Sequence, residues 1–354
     1  YPGFIDAHAH WIGDRNYYGL ETPADAMAAA AERGWTSISE QWVDADKLDE
    51  LEGLAAAGEL PLSVDAYLAL NGVHPGELYG DWYADRVPGQ VTDHLRVRGL
   101  KVHLDSGSGV QILWEPADLT AAIGRANGAG WQVSVHTVST QAQAMVLEAF
   151  EAAIGPTGPN PLHHRIEHAL QVTDDQLARM VAMDLTTVIQ LDGVAHDWVS
   201  WIRDLDDERR DYLAEGPDLL GRWRDFVDAG LHVAGSTDAP WFFPDGLADD
   251  VGRPVDEIAG GMDERGRLYP ETPDWMLDQL LTAEQGLRSV TVEAAWALGD
   301  EANRGHLAPG TFGDVTIMSG DITAGTPDDI RALEVVATIV GGIPVYCAAA
   351  PFCS

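Results

Sequence analysis

The chain is poor in cysteine and in positive charge, and it lacks long apolar runs. Its two cysteines, Cys347 and Cys353, lie close together near the end of 354 residues. Neither forms part of a Cys-x-x-Cys pair, which argues against a zinc ribbon. A Cys347–Cys353 disulfide would suit a secreted protein, and two reduced thiols would suit the cytoplasm. Lys and Arg number 21 against 57 Asp and Glu, a formal charge of −36. Such a surface repels nucleic acid and anionic membranes. It reads as a solubility device before it reads as a lure for cationic substrates. No run reaches the ~18 apolar residues of a membrane helix. No leader is visible, but the sequence opens on Tyr1 rather than Met, so the existence of earlier residues stays open. There is no low-complexity stretch and no fixed-period repeat.

What is present is a rhythm. Strand-like runs at Phe4–His10, Trp35–Trp42, Leu60–Leu70, Gly99–Leu104, Trp131–His136, His164–His168, Leu185–Leu191 and Leu231–Ser236 alternate with helical segments. Thr22 and Thr173 read as N-caps, Pro23 and Pro116 as first-turn residues, and Gly34 and Gly58 as stops. Two further helical segments are expected at Leu219–Ala229 and Thr282–Leu298. Alternation implies a parallel sheet, and eight units imply a closed (β/α)8 TIM barrel over 1–308. With 45% hydrophobic residues the chain can fill such a core. Residues 309–354 hold three more short strands, the expected remnant of a small and incomplete β-sandwich.

Barrels of this kind place their chemistry at the C-terminal ends of strands. The first strand ends in His8-Ala-His10, and alternation lets both imidazoles face the mouth and share a metal. Alone, His-x-His is a weak signal. Lys101, His136, His168 and Asp238 reach the same rim from four later strands, which raises its weight. His103 lies two residues after Lys101, either as a ligand, a substrate contact or simply a polar rim residue. His196 follows the seventh strand and is a candidate substrate contact. Trp241 and Phe242, just after Asp238, are the aromatic residues best placed to touch substrate. His163 and His164 read as structural, and Arg165 with Glu167 as a local ion pair. Lys101 could equally be a plain amine paired with Asp105.

The ordered set His8-x-His10, Lys101, His136, His168 and Asp238 resembles the amidohydrolase superfamily, within it the amidohydrolase-3 or YtcJ-like branch. The phrases Pro2-Gly-Phe-Ile-Asp-Ala-His-Ala-His10, His164-Arg-Ile-Glu-His168 and Gly235-Ser-Thr-Asp-Ala-Pro240 carry the resemblance, as does Gly305-His-Leu-Ala-Pro-Gly-Thr-Phe-Gly-Asp314. The resemblance implies a first divalent ion on His8, His10 and Asp238 and a second on His136 and His168. Lys101, carboxylated, would bridge them. Zinc is the first choice, and Mn, Fe, Co or Ni suit the same donors. It implies hydrolysis of a C–N bond in an amide, formamide or cyclic amide, with Asp238 as proton shuttle. The expected partner is a small molecule with an apolar group, and a homo-oligomer stays open. Two departures stand out. Members often carry Gly-Asp after the fifth-strand histidine, where this chain has Thr137-Val-Ser-Thr140. Relatives also carry strands ahead of the first motif. Ester or carbamate hydrolysis, decarboxylation or isomerisation on the same barrel, and a non-catalytic ligand-binding relative are the competing readings.

Overall fold

The computed structural model describes residues 1–107, 109, 111–191, 216–241, 252–263 and 274–348. Among the described residues the main sheet has nine strands. Eight are parallel neighbours: β1 (Phe4–Ala9), β2 (Trp35–Val43), β3 (Ser63–Ala69), β5 (Leu95–His103), β6 (Gln132–Thr137), β7 (Arg165–His168), β8 (Thr186–Ile189) and β9 (His232–Gly235). The ring closes where Asp238 N donates to His8 O at 2.9 Å and His10 N donates to Ala239 O at 2.8 Å. This is the expected (β/α)8 barrel, and each expected strand falls within a few residues of its observed place.

The remaining strand, β4 (Gly89–Thr92), pairs antiparallel with the start of β5. Its four residues, Gly-Gln-Val-Thr, have no alternation of their own, so nothing in the sequence announced it. Pairing with it draws β5 back to Leu95, four residues before the expected start.

Helices α1 (Pro23–Glu32), α2 (Ala45–Ala57), α3 (Pro116–Gly128), α4 (Thr140–Ile154) and α5 (Asp174–Ala182) cover the outer face. Local chemistry starts them. Thr22 and Thr173 make capping boxes with Asp25 and Gln176, and Asp44 and Ser139 accept from the backbone three residues on. Later helices are shorter than expected. The segment Leu219–Ala229 is helical only over Trp223–Asp228, and Thr282–Leu298 divides into Ala283–Ser289 and Val292–Ala297. At the division, Thr291 has φ −127° and ψ −95°, outside the helical region.

The barrel lumen is filled in layers. Ile5, Ala7, Tyr67, Val188 and Ala234 cluster with Ala294, Ala295, Ala297 and Leu298, so the Val292–Ala297 helix plugs the N-terminal end. Gly99 makes room for this packing: a Cβ there would sit 2.7 Å from the Tyr67 ring. The three C-terminal strands β10 (Val315–Met318), β11 (Val335–Val340) and β12 (Ile343–Cys347) form a separate antiparallel sheet. Residues at the start of the chain join its edge, with Pro2 bridging Val315. Thr316 and Thr338 donate to Gly34 O and Ala31 O and pin the sheet to the barrel. Among the described residues no helix is long and apolar enough to cross a membrane.

Candidate metal centre

At the mouth, β1 and the loop after β9 bring three donors together. His8 Nε2 lies 3.2 Å and His10 Nε2 3.4 Å from Asp238 Oδ1. All three side chains are buried, and one donor atom from each lies within 4.8 Å of the others. Asp238 is held in left-handed backbone, φ +50°. That conformation is uncommon outside glycine and tends to collect at functional sites. Burial alone would raise the Asp238 carboxyl, but the imidazoles of His8 and His10 outweigh it and hold it well below the usual range.

A second group adjoins the first. The His168 ring is 4.9 Å from His8 and 4.6 Å from His136, and His103 is 5.3 Å beyond His136. His168, like Asp238, has positive φ, +69°. Its neighbour Glu167 lies beneath the mouth and contacts His8 as well. Lys101 is fully buried and, among the described residues, its Nζ has no hydrogen-bond partner. Burial pushes its amine down to about 8, against the pull of Glu167 and Asp238. Asp105 is not its partner. That carboxylate accepts from Val138 N and from Ser139 N and Oγ.

These donors suit a divalent cation. Two imidazole nitrogens around one carboxylate oxygen are ordinary ligands for zinc and its neighbours. Among the described residues, further buried nitrogens without hydrogen-bond partners lie at the same end: His103 Nδ1, His136 Nε2 and Lys101 Nζ. A buried polar atom left unpaired is costly, so such a concentration calls for something to bind.

Behind the donors stands a tier that the sequence reading did not assign to the site. Glu167 Oε2 lies 2.5 Å from His8 Nδ1. Gln190 Oε1 lies 2.8 Å from His168 Nδ1, and Gln190 Nε2 donates to Ser236 Oγ. Asp105 Oδ1 lies 3.5 Å from His136 Nε2. Asp6 accepts from Thr237 N and Oγ1 and from Trp11 Nε1, which fixes the loop that carries Asp238. Burial pushes the Asp6 carboxyl up to about 6. A signal for these residues existed. Each is next to, or two to four positions from, an expected ligand, or is polar at a strand end as Gln190 is.

The other expected positions divide. The Trp241 ring lies 6.4 Å from His10 and is half-exposed, against Tyr17 at 4.9 Å. His103 packs edge-on against Trp42, and Asn71 holds its backbone. His164 takes a structural place: its Nδ1 accepts from Val133 N, and its ring stacks on Phe150. Arg165 and Glu167 pair as expected, Nε to Oε1 at 2.7 Å. His196, Phe242 and Cys353 lie outside the described residues.

The profile of the amidohydrolase family matches residues 20–346. The chain is 26% identical over 244 residues to the putative amidohydrolase YtcJ of Bacillus subtilis, covering 68% of this chain and 42% of that protein. It is 25% identical over 265 residues to the N-substituted formamide deformylase of Arthrobacter pascens, covering 75% of this chain and 44% of that protein. It thus spans less than half the length of these relatives. In structure it resembles an uncharacterized metal-dependent hydrolase from Pyrococcus horikoshii, with a TM-score of 0.69 at 20% identity over 86% of this chain and 60% of that one. At that identity the likeness speaks for the fold.

Proposed function

The chain belongs to the amidohydrolase family, and from that premise we propose that it is a metal-dependent hydrolase of a C–N bond in an amide, formamide or cyclic amide. One observation carries this reading: His8, His10 and Asp238 offer three buried donor atoms within 4.8 Å of one another at the barrel mouth. The name of the formamide deformylase relative supports the bond class. Residues 1–308 are then the hydrolase barrel and 309–354 the accessory piece.

In this reading His8, His10 and Asp238 would hold one divalent ion, zinc by preference, and His136 and His168 would hold a second. A bound ion of this kind polarises a carbonyl and lowers the pKa of water. The rest falls to the chain. Lys101 with its amine lowered to about 8 has a larger unprotonated fraction than an ordinary lysine, and only that form can add CO2. Carboxylated, Lys101 would supply the bridging anion. Asp238 stays ionised, so it can accept a proton at a carboxylate oxygen and pass it to the leaving amine. Trp241 and His103 stand at opposite sides of the donor cluster, where they would contact the substrate's apolar group and orient its carbonyl; His196 and Phe242 remain candidates for the same task.

The test begins with metal content. Purified protein should hold a transition metal or take one up on incubation, and a protein that does neither overturns the reading. Turnover of N-acyl, N-formyl and cyclic amides, beside esters, carbamates and dipeptides, then assigns the bond. Activity confined to the esters or dipeptides would replace the proposed class. Reactivation of metal-stripped protein should depend on bicarbonate if Lys101 is carboxylated.

A further inference from the structure

His8 stands between two carboxylates. Its Nδ1 faces Glu167 Oε2 at 2.5 Å, and its Nε2 faces Asp238 Oδ1 at 3.2 Å. An imidazole that ligates a metal through Nε2 is neutral and has one N–H to give. The shorter contact, to Glu167, is the one that N–H would make. The Nε2 lone pair would then face the Asp238 oxygen, with a cation held between them.

Glu167 is itself tightly held. Arg165 Nε lies 2.7 Å from its Oε1, and Ser134 Oγ donates to that oxygen at 2.8 Å. Arg165 is fixed in turn by Ala7 O, 2.7 Å from its Nη2, and lies over the Tyr67 ring. Both residues are fully buried in the lumen, beneath the mouth. A buried ion pair adds little stability, because desolvation offsets the attraction. The pair's cost is better explained by what Glu167 touches on its other side.

We propose that Glu167 is the positioning residue of this centre: it holds His8 as the Nδ1–H tautomer and aims the Nε2 lone pair at the point shared with His10 and Asp238. This rests on the metal reading above and adds to it a named residue that sets ligand geometry. Glu167 is fully buried beneath the donors, out of a substrate's reach. It acts through His8, as carboxylates behind metal-bound histidines do.

The probe is zinc alone. Wild type and Glu167→Gln are loaded with Zn2+ and titrated with a competing chelator. Glu167→Gln should hold zinc about ten- to a hundredfold more weakly, the usual effect of losing such a backing group. Equal affinity in a folded Glu167→Gln protein overturns the proposal. Should that variant fail to fold with Arg165 left unpaired, the Arg165→Met/Glu167→Met double variant removes both charges and is read the same way. Independently, 15N-histidine spectra of wild type should show His8 protonated at Nδ1 with and without zinc. An Nε2–H tautomer, or zinc on Nδ1, overturns the proposal whatever the variants do. A wild type that binds no zinc would instead sink the metal reading, so the two failures are distinct.

Discussion

The two ends of the barrel both bury charge, and they treat it in opposite ways. At the N-terminal end, Asp65 holds Arg96 and Arg304, and Asp300 holds Arg304 Nε at 2.9 Å. Arg98 Nε donates to Leu298 O at 2.6 Å and its Nη2 to Leu162 O. Arg96 and Arg304 share the two aspartates there, and Arg98 turns to backbone carbonyls instead. At the C-terminal end, among the described residues, Lys101 Nζ, His103 Nδ1 and His136 Nε2 have no hydrogen-bond partner, and His168 and Asp238 sit in left-handed backbone. Charge paired in ion pairs at one end and unpartnered donor nitrogens at the other separate what holds the barrel together from what it is for.

Breaking the comparison at its active end should give the largest effect. Asp238→Asn keeps the side chain's shape but removes the carboxylate proposed to take and return a proton. Turnover of whichever amide proves to be a substrate should fall by about 10²–10⁴-fold, the usual contribution of a general acid–base. Most metal should remain, and the thermal midpoint should hardly move. Full activity in Asp238→Asn would end its role as proton shuttle.

The matching cut at the N-terminal end should cost stability instead. Asp65→Asn leaves Arg96 and Arg304 facing a neutral amide, and removing one partner of a buried pair costs about 3–5 kcal/mol. Urea unfolding would read this loss, and zinc binding should be unchanged. The pH dependence has a definite sign. Burial would raise the Asp65 carboxyl, but the guanidinium groups of Arg96 and Arg304 outweigh it and hold it below its ordinary value. Its stabilisation is therefore present above the unfolded value of about 3.9 and fades as pH falls towards the folded one. Asp65→Asn should flatten that acid limb. An unchanged limb would show that the network contributes little.

The contrast was half legible in the sequence. The C-terminal end was the more legible, because barrel strands deliver side chains to the rim at a regular spacing, so His8, His10, Lys101, His136, His168 and Asp238 stood out in order. The backing tier was harder to read. Glu167 is two residues from Arg165, and that spacing suggests a local pair. The pair exists, but only the closed barrel shows that β1 lies across the lumen and that His8 is the third member. The N-terminal end could not be read at all. Asp65, Arg96, Arg98, Asp300 and Arg304 come from two strands and the tail after the last barrel helix, and no periodicity links them. The strand β4 was missed for a similar reason, since its partner β5 defines it.

Lys101 gives the smallest expected effect and the sharpest one in sign. At the N-terminal end Asp65 is in direct contact with Arg96 and Arg304, so deleting it must destabilise. Lys101 has no such contact: among the described residues its Nζ is buried without a hydrogen bond, and burial lowers its pKa to about 8 against the pull of Glu167 and Asp238. Lys101→Met keeps the length of the chain and fills the same space with apolar atoms. It should raise the stability of the metal-free protein by about 1–2 kcal/mol at pH 7, the penalty of an unsatisfied buried polar group. It should at the same time weaken metal binding and turnover. A variant less stable than wild type would mean that Lys101 serves packing like Asp65, and the division between the two ends would fail at its central residue.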